Sequence, residues 1–267
     1  MDKIDILKKC FSFMDLTTLK PDDTVESVEK LVGKVTALCK EFPEYPLPAS
    51  VCVYPNFAGV VRAARPSEDL HVTCVASCFP STQSFLEVKV RECELAVEAG
   101  ADEIDIVLSL AKFLSGDYEG AAADIRAMKA AIDAAAAKAG RPVVLKVILE
   151  TGLLKTEEKI AKASRIAMEA GADFIKTSTG KVEVNATPEA ARIMCKEIKK
   201  FYEKTGRKVG FKAAGGISTA EDALNYYNIG LEILGEEWLD KKYFRFGVSR
   251  VGNSLMSAIE GKEIKFF

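Results

Sequence analysis

The sequence holds one histidine, His71, in 267 residues. A zinc-dependent lyase normally draws several imidazole ligands. A Ser-His-Asp or Cys-His centre needs a histidine set beside its nucleophile. His71 opens a predicted strand, where packing or a surface hydrogen bond accounts for it. Any chemistry therefore falls to Lys, Asp, Glu, Ser, Thr or Tyr. No G-x-G-x-x-G is present, which argues against a nucleotide-binding doubly wound sheet, the runner-up fold. No C-x-x-C occurs either. The seven cysteines (10, 39, 52, 74, 78, 93 and 195) are odd in number, scattered and mostly in apolar settings. Buried thiols in a reducing compartment, and so a cytoplasmic protein, are the expectation. Cys52 and Cys74 lie in predicted strands and could line a cavity.

Charge of one sign is also missing. Lys and Arg number 37 against 39 Asp and Glu, a net charge of −2. Without a basic excess, neither nucleic acid nor an anionic membrane is an expected partner. Apolar runs such as "VVLKVIL" are far too short to cross a bilayer. The opening "MDKIDILKKC" carries charges throughout and is not read as a signal peptide.

Hydrophobic residues make up 48% of the chain, enough for a sizeable core. Eight short, β-branched, apolar stretches read as strands: 13–18, 50–55, 70–79, 103–109, 143–150, 174–179, 209–214 and 243–248. Helix formers fill the intervals. "TVESVEKLVGKVTALCK" has apolar residues at helical spacing, and "EGAAADIRAMKAAIDAAAAKAG" ends in a glycine stop. Thr156 and Thr187 are expected N-caps, with Pro188 at the first helical position and Gly206 past the far end. Ser218 or Thr219 is expected to cap the next helix. "AVEAGADEIDIV" (96–107) is echoed 71 residues later by "AMEAGADFIKTS" (167–178), a spacing of about two βα units. The predicted fold is a single-domain α/β (β/α)8 TIM barrel spanning 1–267.

Active sites of such barrels lie at the C-terminal ends of the strands. Charged residues inside or at the ends of the predicted strands are thus the candidates. They are Asp15, Asp105, Lys146, Glu150, Lys176 and Lys212. Three lysines on consecutive strands, with Asp105 nearby, form an unusual set. A free lysine is neutral at pH 7 in only about one molecule in 2,500. Burial and a neighbouring cation both lower its pKa. Bringing it to about 7 requires a bias of about 4.6 kcal/mol against the ammonium. A neutral lysine beside a carboxylate suits imine formation with a carbonyl substrate and carbon–carbon cleavage. These arguments do not choose among Lys146, Lys176 and Lys212.

After the seventh strand, "KAAGGIST" places Gly215 and Gly216 before a helix N-terminus, an arrangement that favours an anion. After the eighth, "FGVSR" offers Gly247, Ser249 and Arg250. Barrels often bind phosphate between these two loops.

Together "MDLTTL", "VCVYP", "GADEIDIV", "LKVILETG", "GADFIKTSTGK", "NATPE" and "GFKAAGG" resemble the 2-deoxyribose-5-phosphate aldolase family, in order and over nearly the whole chain. The resemblance implies a class I aldolase on a (β/α)8 barrel. Such an enzyme interconverts 2-deoxyribose 5-phosphate with acetaldehyde and glyceraldehyde 3-phosphate, without metal or organic cofactor. It makes Lys176 the Schiff-base lysine, Lys212 the cation that keeps it deprotonated, and Asp105 the proton relay. Lys181, Gly215, Gly216, Gly247 and Ser249 fall where the family binds phosphate. Asp15, Thr17 and Lys146 become supporting contacts. The implied partners are a phosphorylated sugar and aldehydes, with room for a homodimer. Another Schiff-base aldolase or transaldolase-like barrel, a metal-free barrel isomerase and a non-catalytic binding barrel remain as alternatives.

Three features depart from the family pattern. Cys78 and Thr82 stand where relatives often carry glycine, so the loop after the third strand is expected to differ in shape. Arg250 replaces a hydroxyl residue. The chain ends "KFF" where some relatives end in a tyrosine.

Overall fold

The computed structural model describes residues 2–267. Eight parallel strands close into a barrel in sequence order. They are β1 (Met14–Thr17), β2 (Ser50–Val53), β3 (His71–Val75), β4 (Glu103–Val107), β5 (Val144–Ile148), β6 (Phe174–Lys176), β7 (Gly210–Ala214) and β8 (Phe244–Val248). Pairing of β1 with β8, Asp15 opposite Gly247, completes the ring. Alternate residues face the barrel axis and the surrounding helices. On β1, Met14 and Leu16 join the outer core with Phe13 and Phe246, while Asp15 points inward. Both faces are covered, which is why these strands read as almost continuous apolar runs.

The helix boundaries follow their caps. Thr24 and Ser27 form a reciprocal capping box at the start of Val25–Glu41. Thr156 caps Glu157–Glu169, and Thr187 with Pro188 starts Pro188–Thr205. Thr219 rather than Ser218 is the N-cap of Ala220–Ile233, in a capping box with Asp222. Gly140 and Gly206 end their helices in the left-handed conformation that favours glycine.

The internal echo has a structural cause. Each copy ends a helix, turns through a positive-φ glycine (Gly100 or Gly171) and reaches an aspartate before its strand. The Asp102 carboxylate accepts the backbone N–H of Val72 on β3 at 3.0 Å. Asp173 does the same for Leu145 on β5 at 2.9 Å. The repeated aspartate thus ties the start of one strand to its neighbour.

All eight predicted strands are present, shorter at their ends than the apolar runs suggested. β6 stops at Lys176 because Thr177 turns its hydroxyl to the backbone of Ala214. The N-terminal charges hide a helix that was not expected, Lys3–Ser12, whose Leu7, Cys10 and Phe11 are buried. No helix among the described residues is long and apolar enough to cross a membrane.

Candidate active site

Seven charged side chains fill the barrel interior: Asp15, Glu103, Asp105, Lys146, Lys176, Lys212 and Arg245. Charges so buried persist only when paired and hydrogen-bonded. The lower layer is fully engaged. Arg245 Nη2 donates to Glu103 Oε1 at 2.7 Å, and its Nη1 reaches Asp15 Oδ1 at 2.5 Å. Lys146 contacts Glu103 and lies 2.9 Å from Asp105 Oδ1. Ser50 donates to Asp15 Oδ1 at 2.8 Å, and Thr73 Oγ1 lies 2.7 Å from Ser50 and 2.9 Å from Glu103. His71 closes this layer at the barrel base, its Nδ1 2.7 Å from Glu103 Oε1. Its partner is a buried carboxylate of the interior network, not the surface group expected of it.

Above that layer, two ammonium groups share one carboxylate oxygen. Lys176 Nζ and Lys212 Nζ each donate to Asp105 Oδ2 at 2.8 Å. Pairing of β6 with β7 places Lys176 directly beside Lys212, and pairing of β4 with β5 sets Asp105 beside Lys146. The three lysines differ in company. Lys212 also has Asp15 Oδ2 at 2.5 Å, and Lys146 also has Glu103. Lys176 has Asp105 alone.

Their protonation follows. Burial disfavours the Lys176 ammonium; Asp105 opposes that and Lys212 adds to it, and the pKa falls below the ordinary lysine value. Burial acts on Lys212 as well, but Asp105 and Asp15 outweigh it and hold the ammonium well above the usual range. Burial opposes the Lys146 ammonium too, but Asp105, Glu103 and Asp15 outweigh it and raise its pKa. Although burial opposes ionisation, Lys146, Lys176 and Lys212 hold the Asp105 carboxyl well below its ordinary value. Lys212 and Arg245 also lower the Asp15 carboxyl against the effect of its burial.

Lys176 is also the only one of the three lysines to line the open cavity, of about 300 Å³, at the C-terminal ends of the strands. Gly215, Gly216, Gly247, Ser249, Thr17 and Lys181 line the same space. Gly215 and Gly216 have φ of 82° and 83°, so the turn after β7 requires glycine. At Gly247 a Cβ would sit 2.8 Å from Ala214 Cβ, so only glycine lets β8 pack this closely on β7. Lys181 Nζ reaches across the mouth to the carbonyl oxygen of Leu19 at 2.6 Å. Glu150, the remaining strand-end candidate, lies outside the cavity lining. Its carboxylate accepts the Thr179 N–H at 3.1 Å and the Thr179 hydroxyl at 2.6 Å, fixing the segment after Lys176.

Every residue singled out for the site comes to the barrel interior or its mouth. Asp15 and Lys146 lie below the cavity, and Asp105 and Lys212 under its floor. Glu103 and Arg245 were missed. Their signal was present, since Glu103 is two residues from Asp105 and shares its face, and Arg245 interrupts "YFRFGV" between two core phenylalanines. Cys52 and Cys74 do not line the cavity: Cys52 packs with Leu19 and Val75, and Cys74 belongs to the outer core. Burial pushes both thiols up.

The family departures resolve in different ways. Cys78 and Thr82 both have φ of 55°, with Ser77 at 68°. The loop therefore adopts backbone conformations suited to glycine while carrying side chains. Cys78 N–H donates to Glu92 at 2.6 Å, and Ser77 and Thr82 hydroxyls meet at 3.1 Å. Arg250 is exposed and lines the mouth. The C-terminal phenylalanines are anchored on the outer helices: Phe267 packs on Phe11, Phe266 on Phe42, and Asn253 accepts both their N–H groups at 2.8 Å. Neither phenylalanine lines the cavity that holds Lys176.

A model described as DeoC/LacD family aldolase matches residues 10–238. A relative from Caenorhabditis elegans named "Putative deoxyribose-phosphate aldolase" is 44% identical over 247 residues, 92% of this chain and 78% of that one. Among solved structures, "QR15, an Aldolase" has a TM-score of 0.74 at 29% identity, covering 94% of this chain and 96% of its own. The tetrameric deoxyribose phosphate aldolase from Aeropyrum pernix shares the fold, with a TM-score of 0.71 at 24% identity over 97% of this chain and 98% of its own. With its model matched over most of the chain, and its aldolase relatives built on the same barrel, the DeoC/LacD aldolase family is the one to which this protein belongs.

Proposed function

We propose that this protein is a deoxyribose-phosphate aldolase that cleaves 2-deoxy-D-ribose 5-phosphate reversibly to acetaldehyde and D-glyceraldehyde 3-phosphate. The observation that carries the reading is the lone position of Lys176. It faces the cavity, shares Asp105 Oδ2 with Lys212 at 2.8 Å, and has a lowered pKa while its two neighbours are raised. A lysine so placed reaches the neutral state that nucleophilic attack needs.

In the forward direction neutral Lys176 attacks C1 of the open-chain sugar, and loss of water leaves an iminium. The C3 hydroxyl gives up its proton to a base, the C2–C3 bond breaks, and its electron pair flows into the iminium. Glyceraldehyde 3-phosphate departs. The remaining enamine takes a proton at its terminal carbon, supplied through Asp105, Lys212 and water. A water molecule then hydrolyses the imine, releasing acetaldehyde and regenerating Lys176. In the resting site Lys212 keeps a positive charge beside Lys176. Asp15 and Lys146 orient Lys212 and Asp105 from below. The phosphate sits in the turns at Gly215–Gly216 and Gly247–Ser249, with Lys181 exchanging the Leu19 carbonyl for it. Thr17 lines the sugar's side of the cavity. Residues 1–267 act as one catalytic domain on small diffusible substrates. All seven cysteines are free, which suits the reducing cytoplasm.

Borohydride reduction with acetaldehyde present, followed by peptide mass mapping, tests the reading. An ethyl adduct on Lys176 is expected. An adduct on Lys146 or Lys212 overturns the residue, and no adduct on folded protein overturns imine catalysis.

A further inference from the structure

Beside the candidate phosphate turn the mouth opens into a second, larger groove of about 550 Å³. The two spaces share Thr17, Thr18, Lys20, Ser249 and Arg250. Lys30 and Lys34 add two further cations from the Val25–Glu41 helix. Four cationic side chains thus line one depression, and none forms an ion pair among the described residues, although ion pairs are frequent elsewhere in the chain. The groove has one acid, Asp23. Its carboxylate is turned to the Thr18 hydroxyl at 2.8 Å and the Lys20 backbone N–H at 2.8 Å. Lys30 and Lys34 stand at i and i+4, where like charges destabilise a helix. Glu26, one turn before Lys30, offsets part of that cost, but Lys34 has no acid one turn away on either side.

We propose that this groove is a subsite for the outer phosphates of a polyphosphate chain. One phosphate occupies the turn that the proposed reaction uses for the sugar phosphate, and the following phosphates lie along Arg250, Lys20, Lys30 and Lys34. The inference rests on the phosphate site assigned above and adds a ligand class to it. A chain with charge on every unit matches cations spread along a groove, whereas a peptide or lipid would need apolar lining, and Leu31 is the only large apolar residue there. Because both ligands claim the same turn, polyphosphates compete with the sugar phosphate. Inorganic polyphosphate and nucleoside triphosphates both present this chemistry.

Calorimetric titration with orthophosphate, pyrophosphate and tripolyphosphate tests it, on the wild type and on Lys30→Glu/Lys34→Glu. Wild-type affinity should rise at least about ten-fold from orthophosphate to tripolyphosphate, well outside titration error. Tripolyphosphate should inhibit cleavage competitively. The double variant should lose that rise while its KM for deoxyribose 5-phosphate stays within about two-fold, since neither lysine lines the turn. Lys30→Gln/Lys34→Gln, neutral and easily borne by an exposed helix, should give an intermediate affinity. Equal wild-type affinity for all three anions, or a rise that survives charge reversal, overturns the proposal. ATP matching tripolyphosphate supports a nucleotide source; tripolyphosphate binding without ATP binding supports an inorganic one. A protein that binds tripolyphosphate but does not cleave the sugar keeps the groove and overturns the aldolase assignment. An active enzyme indifferent to tripolyphosphate does the reverse.

Discussion

The base and the mouth of this barrel carry similar charged residues and use them in opposite ways. At the base, Arg245, Glu103, Asp15 and Lys146 are fully buried and bonded to one another. At the mouth, Lys20 and Arg250 are exposed and form no ion pair among the described residues, and the turns present glycine backbone. Burial separates the two. A charge removed from water must find its counterion within the protein, while an exposed one is left available to a ligand. Lys176 sits where the two regimes meet. It is buried enough to be discouraged from carrying a proton, and shares its single carboxylate with Lys212.

The sharpest test of that junction is Lys176→Met. Removing the proposed nucleophile should lower kcat/KM for deoxyribose 5-phosphate by at least about 10³-fold. The fold should persist, because Lys212 and Lys146 still satisfy Asp105. Cleavage assays and circular dichroism on one preparation read both quantities.

Lys212→Met should cost roughly 10²–10⁴-fold in rate, the range of a lost proton-transfer partner. It should also move the pH profile. Without the adjacent positive charge the Lys176 ammonium is penalised less, so its pKa rises and the acid limb of kcat/KM shifts to higher pH. An unmoved limb would separate Lys212 from Lys176 electrostatically.

The base answers to a stability measurement. Glu103→Gln leaves Arg245 and Lys146 short of a counter-charge and should cost about 3–5 kcal/mol in urea unfolding. Arg250→Ala at the mouth should stay within about 0.5 kcal/mol. The carboxyls of Asp15, Glu103 and Asp105 are all held below their ordinary values. Their stabilising contribution is complete above the unfolded carboxylate pKa of about 4 and is lost as pH falls towards the folded values. Stability should therefore drop on acidification below about pH 4, and less steeply in Glu103→Gln.

The smallest expected effect lies in the loop after β3. Cys78→Gly relieves a left-handed backbone at φ 55° and should stabilise the fold by roughly 0.5–1 kcal/mol, the steric relief less the added chain entropy. Thermal melting checks it, with activity expected to stay close to wild type.

Much of this arrangement was legible beforehand. Eight strands, their caps and the closed barrel followed from apolar runs, threonine caps and glycine stops, because those signals are local in the chain. The helix Lys3–Ser12 is hidden in the sequence because its charges surround a narrow apolar stripe of Leu7, Cys10 and Phe11, which is buried in the fold. Arg245 and Glu103 were passed over because a single charge inside an apolar strand does not announce a partner on another strand.

The sequence by itself determined the parallel barrel, the lysines on β5, β6 and β7, and the glycine turns after β7 and β8. These depend on side-chain alternation and backbone freedom, which neighbouring residues settle. Which lysine loses its proton most readily was decided only by the tertiary structure. Lys146, Lys176 and Lys212 are alike as residues; what differs is that Asp15 reaches Lys212, Glu103 reaches Lys146, and Lys176 is left with Asp105 alone. Those neighbours come from strands distant in sequence, and ionisation responds to charges within a few ångströms in space, wherever they lie along the chain.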